Sequence, residues 1–207
     1  MAKSEKISEA VVRRLPIYLR YLSHLQQMGV TTVSSQQMGK ILDINPAQIR
    51  KDLAAFGDFG KKGIGYDVHY LIEKIRHILK LDQEIHVALV GAGHLGHAIS
   101  NYNAYLQDNM RIVAIFDADP NKLGKQIAGL PIQPMDELKQ TVRDKQIRLA
   151  IITVPAAAAQ SVADLLIDAG IEGILNFAPI TLRTDKDVRI DYADVTSSLQ
   201  SLAYYLT

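Results

Sequence analysis

The sequence predicts an α/β chain of two modules, a small N-terminal helical one carrying a β-hairpin and a larger doubly wound parallel sheet. Three observations predict it. Residues 86–117 read as strand, glycine turn, helix, strand and terminal acid. After them, strand and helix patterns go on alternating, as a parallel sheet with crossover helices requires. The charge also divides: residues 1–80 hold 13 Lys/Arg against 7 Asp/Glu, while residues 81–207 hold 10 against 15. A basic front and an acidic back imply modules with different partners.

The 207 residues suit one or two domains. No apolar run approaches the roughly 20 residues that span a bilayer. The start, MAKSEKISEA, has no apolar signal-peptide core, so a cytoplasmic protein without a membrane partner is expected. Without cysteine there are no disulfides, Fe–S clusters or cysteine zinc sites. No metal is expected, and any response to redox state must run through a bound molecule.

In the front module, Ser8 caps a first helix that Pro16 is expected to kink or restart. Leu15, Leu19, Leu22, Leu25 and Met28 form its apolar stripe, and Gly29 ends it. Arg13, Arg14 and Arg20 read as solvated charge. A short helix capped by Ser34 or Ser35 runs to Leu42. After a tight connection at Asp43–Ile44, Asn45 caps a second helix with Pro46 at its first position. This is a helix-turn-helix pattern. Ile49, Leu53 and Phe56 point to the core, while Ala47, Gln48, Arg50, Lys51 and Ala54 form a small-residue, cationic face that suits a major groove. The alternative is a bundle helix with an ordinary charged exterior. DFGKKGIGYDV (58–68) then reads as a hairpin, the wing of a winged helix, with Lys61 and Lys62 reaching phosphates or a minor groove; otherwise it is a surface loop. Ser35, Asn45, Ala47, Gln48, Arg50, Lys51, Lys61, Lys62, Gly63 and Tyr66 are the candidate DNA-contacting residues. A helix with Val68, Leu71, Ile72, Ile75 and Leu79 closes the module, and the boundary is placed in LDQE, 81–84.

In the back module, HVALV is a buried strand and GAGHLG follows at once. Gly91 permits the tight turn, Gly93 lets backbone approach a pyrophosphate, and Gly96 lets helix pack near strand. Free N–H groups at the helix start favour phosphate charge. Asp117 ends RIVAIF 21 residues after Gly96, where a carboxylate accepts from an adenosine ribose hydroxyl and repels a 2′-phosphate. The cofactors expected are therefore NADH and NAD+, with NADPH bound weakly. ADPNKLG and GLPIQP read as turn-rich, MDELKQTV as a short helix, IRLAIITVP and GILNFAP as buried strands, and AAAAQSVADLLIDAG as the helix between them. Ligands of such sheets sit at the carboxyl ends of strands. That edge carries Gly91, Ala92, Gly93, His94, Leu95, Gly96, Asp117, Thr153, Val154, Pro155, Asn176, Phe177, Ala178 and Pro179 as candidate cofactor contacts, and Tyr102, about two turns into the helix after the glycine turn, is a further one close to the nicotinamide edge. TSSLQSLAYYL (196–206) is an amphipathic helix whose Leu199, Leu202, Ala203 and Leu206 pack either on its own front module or on another subunit.

These residues resemble a known family. SSQQMGKILDINPAQIRKDLAAFGDFGKKGIGY, GAGHLG followed by Tyr102, ILNFAP and the tail containing Asp194 are similar to the Rex family of bacterial redox-sensing transcriptional repressors, over nearly the whole chain. The resemblance implies a winged-helix DNA-binding domain (1–82), a Rossmann NAD(H) domain (83–193) and a domain-swapped C-terminal dimerisation helix (194–207). It implies a homodimer on palindromic operator DNA, released by NADH and compatible with NAD+. It also implies a polar relay of Arg20, Tyr102 and Asp194, in which Asp194 leaves Tyr102 for Arg20 when NADH binds; the competing role for Asp194 is a helix cap. His94 stands at a free position of the fingerprint where relatives often carry Asn or Arg. No catalytic residues and no enzyme activity are expected. The alternative is an NAD-dependent oxidoreductase with a helical accessory domain. It has no room for a substrate domain, no recognisable Ser–Tyr–Lys or His–Asp acid, and no use for a basic winged helix.

Overall fold

The computed structural model describes residues 8–57, 60–61, 65–103 and 109–206. The chain divides into two compact units, Met1–Asp82 and Gln83–Thr207.

In the first unit α1 (Glu9–Gln27) runs through Pro16 without a break. Val12 and Pro16 both lie on the exposed side, where water can satisfy the carbonyl that proline leaves without a donor. The buried face is Leu15, Tyr18, Leu19 and Leu22; Met28, expected to extend the stripe, is 65% exposed because the helix ends beside it. The helix α2 (Ser35–Leu42) opens on a capping box, with Gln37 N–H donating to Ser34 and Ser34 N–H to the Gln37 side chain. Asp43 turns the chain in the left-handed region, and α3 (Pro46–Ala54) begins on the Asn45 cap. The turn is tight: a Cβ on Gly39 would lie 2.5 Å from the Ile44 carbonyl oxygen. Three short strands, β1 (Thr32–Val33), β2 (Gly60–Lys61) and β3 (Gly65–Asp67), form an antiparallel sheet in the order β1-β3-β2. Here β2 and β3 are the hairpin arms; β1 was too short to register in the sequence. Asp67 caps α4 (Val68–Ile78), which packs on α1.

The second unit contains β4 (Ile85–Val90), α5 (His94–Asn103), β5 (Met110–Phe116), β6 (Gln126–Ile127), β7 (Leu130–Gln133), a 3-10 turn at Met135–Glu137, α6 (Leu138–Asp144), β8 (Leu149–Ile152), α7 (Ala156–Asp168), β9 (Gly173–Asn176), β10 (Arg189–Tyr192) and α8 (Val195–Ala203). The sheet order is β10-β9-β8-β4-β5-β7-β6, parallel except for β6 against β7. Chain progression reverses between β4 and β8, the topological switch point where doubly wound sheets bind ligands. Alternate residues of β4 serve different cores: Val87 and Leu89 one, Ala88 and Val90 the other. Two segments differ from expectation. The turn-rich GLPIQP contains β7, where Ile132 is buried against β5. The stretch before the tail forms β10, parallel to β9. Each strand is too short and too interrupted by polar residues to show a period, and sheet pairing supplies what local propensity lacks.

Candidate functional site

In the first unit, Arg50 Nη1 on α3 donates to Ser35 Oγ at 3.0 Å, tying the second helix to the start of the first. Burial pushes the Tyr66 hydroxyl up and the Arg50 charge opposes this; strand pairing sets Tyr66 opposite Val33, two residues before Ser35. Ala47 and Lys51 are exposed on α3. Two other sequence candidates have internal tasks. Asn45 Oδ1 accepts from Ala47 N–H, and Gln48 Nε2 donates to Asp52 Oδ1 at 2.6 Å. Lys62 and Gly63 lie outside the described residues, as does the side chain of Lys61.

Asp52 was missed by the sequence reading. Its side chain is fully buried and takes Arg14 Nε at 2.6 Å, Arg14 Nη2 at 2.8 Å and the Tyr18 hydroxyl at 2.7 Å besides Gln48. Burial pushes its pKa up, and the donors from Arg14, Tyr18 and Gln48 outweigh that, holding it below the ordinary carboxylate range. Burial, then Asp52, drive the Tyr18 hydroxyl well above the usual phenol range. Arg14, read as solvated charge, is thus half of a bidentate pair between α1 and the second helix of the motif. The available signal was an acid on the apolar face between Ile49 and Leu53, which demands a buried cation.

In the second unit, the turn Gly91–Gly93 leads into α5. Gly91 has φ +107°, and a Cβ there would be 2.8 Å from the Thr153 carbonyl. A Cβ on Gly96 would be 2.1 Å from the Gly91 carbonyl oxygen, whereas one on Gly93 would meet no atom within 4 Å. The turn is packed tightly behind and open in front. Both flanking strands grip it. The hydroxyl of Thr153, after β8, donates its one hydrogen to Gly91 O at 2.8 Å, with Val90 O also within reach at 3.1 Å. Asp117, after β5, accepts Ala92 N–H at 2.7 Å, Asp119 N–H at 2.8 Å and Lys122 Nζ at 2.9 Å. Burial pushes Asp117 up, and these donors bring it below the ordinary range. Open N–H groups at the start of α5, a clear front and an acid at the end of β5 fit a dinucleotide pyrophosphate and ribose.

Asn176, buried, accepts Ala178 N–H and donates to Ala178 O and Ile180 O, so its amide shapes its own loop. Ala178 is buried and Val154 and Phe177 are half-buried, with Pro155, Pro179, His94, Leu95 and Tyr102 exposed. Ala193 N–H bonds Asn176 O, which brings Asp194 to the same sheet edge. There Asp194 caps α8, accepting Ser197 N–H at 2.9 Å and the Ser197 hydroxyl, which together hold its carboxyl low. Arg20 is an exposed residue of α1 in the first unit. The apolar side chains of α8 are exposed: Leu199 61%, Leu202 62% and Leu206 81%. Among the described residues no His/Asp/Glu cluster suits a metal, and no helix is long and apolar enough to cross a membrane.

A winged helix joined to a dinucleotide-binding fold defines the class: a DNA-binding transcriptional regulator with a nucleotide-type sensor domain. The family model "Putative DNA-binding protein N-terminus" matches residues 6–54, and "CoA binding domain" matches residues 82–180. The redox-sensing transcriptional repressor Rex of Brevibacillus brevis is 80% identical over 207 residues, all of both chains. Rex of Chloroflexus aggregans is 47% identical, covering all of this chain and 97% of its own. The solved structure of RSP with β-NAD+ and operator DNA is 35% identical with a TM-score of 0.88, covering 96% of this chain and 91% of that one. RSP with β-NADH is 34% identical with a TM-score of 0.87, covering 96% and 93%. The chain belongs to the Rex family of redox-sensing transcriptional repressors.

Proposed function

We propose that this protein represses transcription by binding operator DNA as a homodimer in the cytoplasm, and that NADH at the Gly91–Gly96 turn releases it, without enzymatic turnover. The observation that carries this is the coexistence in one chain of a helix-turn-helix whose two helices are tied by the Arg50–Ser35 bond and the clamped, open-fronted turn. The turn and the start of α5 would hold the pyrophosphate, and Asp117 the ribose. The bound nucleotide supplies the redox reading, because its oxidised ring is positively charged and its reduced ring is neutral. Val154, Phe177 and Ala178 are apolar and at least half buried, and an unpaired charge buried among them is costly. NADH is therefore expected to bind more tightly than NAD+. A mobility-shift titration at fixed salt tests the whole reading: NADH lowers operator affinity and NAD+ does not. Steady NADH consumption without DNA release would favour the oxidoreductase instead.

Two winged helices on a two-fold axis read a palindrome. The exposed apolar face of α8 supports that dimer and the swapped helix. Arg50→Ala is expected to cost about 1–3 kcal/mol and to relax preference at one base pair. An operator-mutation panel checks it, and unchanged preference at every base pair removes Arg50 from readout.

The switch is proposed to use Arg20, Tyr102 and Asp194. The cap on α8 and the relay compete for one carboxylate, so a variant that keeps the cap separates them. Asn caps nearly as well as Asp but carries no charge. Asp194→Asn is expected to melt within a degree or two of wild type while most of the NADH-induced loss of DNA affinity, typically about 1–3 kcal/mol for such coupling, disappears. Arg20→Ala should do the same, and the double variant no more. Normal NADH release from Asp194→Asn leaves the residue a cap alone.

A further inference from the structure

We propose that Lys122, through its ion pair with Asp117, decides which adenosine ribose the site accepts: held by Asp117 it leaves the site selective for NADH, and released it binds a 2′-phosphate. This rests on the reading of the Gly91–Gly96 turn as an NADH site. A lone carboxylate at the end of β5 would exclude NADPH by repulsion. The Asp117 carboxylate is not alone. Its Oδ2 accepts both Ala92 N–H and the Lys122 ammonium, and its Oδ1 accepts Asp119 N–H. A carboxylate offers about four acceptor positions, so one remains, on Oδ1, for a single ribose hydroxyl.

The pair carries no net charge, and repulsion by Asp117 alone does not account for exclusion. The exclusion lies in the grip on Lys122. The Lys122 side chain is 36% exposed and that of Asp117 10%, so the cation is the outer member and the first that a phosphate arriving from solvent would meet. To take the phosphate it must leave a buried carboxylate that would then lack its only side-chain cation among the described contacts, a costly separation. The other acid of the loop, Asp119, is turned to the backbone and side-chain amides of Asn121. Neutralising Asp117 therefore frees an ammonium with three N–H donors at the mouth of the ribose site.

Calorimetric titration of NADH and NADPH into the full-length protein tests this with wild type, Asp117→Asn, Lys122→Met and the double variant, each checked by thermal melting. Asp117→Asn should shift the NADPH/NADH affinity ratio toward NADPH by about tenfold or more, the size of one charge-assisted contact. The double variant should lose that gain. Lys122→Met alone, which leaves an unpaired carboxylate, should move the ratio several-fold the other way. If Asp117→Asn does not fold, this last arm decides. A ratio unmoved by Lys122→Met, or a gain that survives in the double variant, overturns the proposal while NADH binding by wild type stands. Absence of NADH binding by wild type overturns the site reading itself.

Discussion

Gly96→Ala should abolish the response to NADH and leave operator binding intact. The new methyl would lie 2.1 Å from the Gly91 carbonyl oxygen and 3.2 Å from Leu89 Cδ2, so α5 must move off the turn or the turn must open. Neither can happen freely, because Thr153 and Asp117 clamp the turn from both neighbouring strands. Overpacking of this kind costs about 1–3 kcal/mol or more, and NADH affinity should fall by about two orders of magnitude as the N–H groups lose their alignment. Gly93→Ala is the control. A Cβ there meets no protein atom within 4 Å, so the protein should melt normally and still lose nucleotide. NADH titration, melting curves and a mobility shift with each variant are the measurements. NADH affinity within threefold of wild type in both variants would remove the turn from the sensor.

The second large effect lies in the other unit. Asp52→Ala strips the partner from Arg14, Tyr18 and Gln48 at once, and breaking a buried ion pair from one side costs about 3–5 kcal/mol. Against a total stability of about 5–15 kcal/mol, that threatens the fold of the DNA-binding unit. Operator affinity should collapse, with the melting temperature falling alongside. The triple variant Arg14→Met/Tyr18→Phe/Asp52→Leu removes both charges and every member of the hydrogen-bonded set except Gln48, and should recover much of the stability. A triple variant no more stable than Asp52→Ala would contradict this account. The pH dependence has a defined sign. The folded Asp52 pKa is lowered by its donors, so its contribution is full above the ordinary carboxyl range and disappears as pH falls through the folded value. Acid melting of wild type should therefore be steeper than that of the triple variant.

What could be read from the sequence is what short-range physics writes. The Asn45–Pro46 start of the second helix, the Ser34 cap, the glycine turn after an apolar strand and the alternation of strands with helices depend on residues a few positions apart. They were enough for a helix-turn-helix module followed by a doubly wound sheet; the family followed from the resemblance of whole motifs. Tertiary structure alone decided the rest, because a polar side chain chooses its partner in space. Arg14 reads as surface charge until Asp52, 38 residues later, is buried beside it. Asp117 reads as a bare acid facing a ribose until the fold brings Ala92 N–H, 25 residues earlier, onto its carboxylate and turns Lys122 back to it. For Thr153 and Asn176 the sequence offers only ligand contact; the fold adds internal tasks, with the Thr153 hydroxyl on Gly91 O and the loop after β9 folded around the Asn176 amide. Strands β7 and β10 carry no pattern of their own and exist because β5 and β9 offer them parallel hydrogen bonds. A local pattern fixes the backbone's preference, but the energy of a buried charge or an edge strand is set by groups that only the completed fold brings within reach.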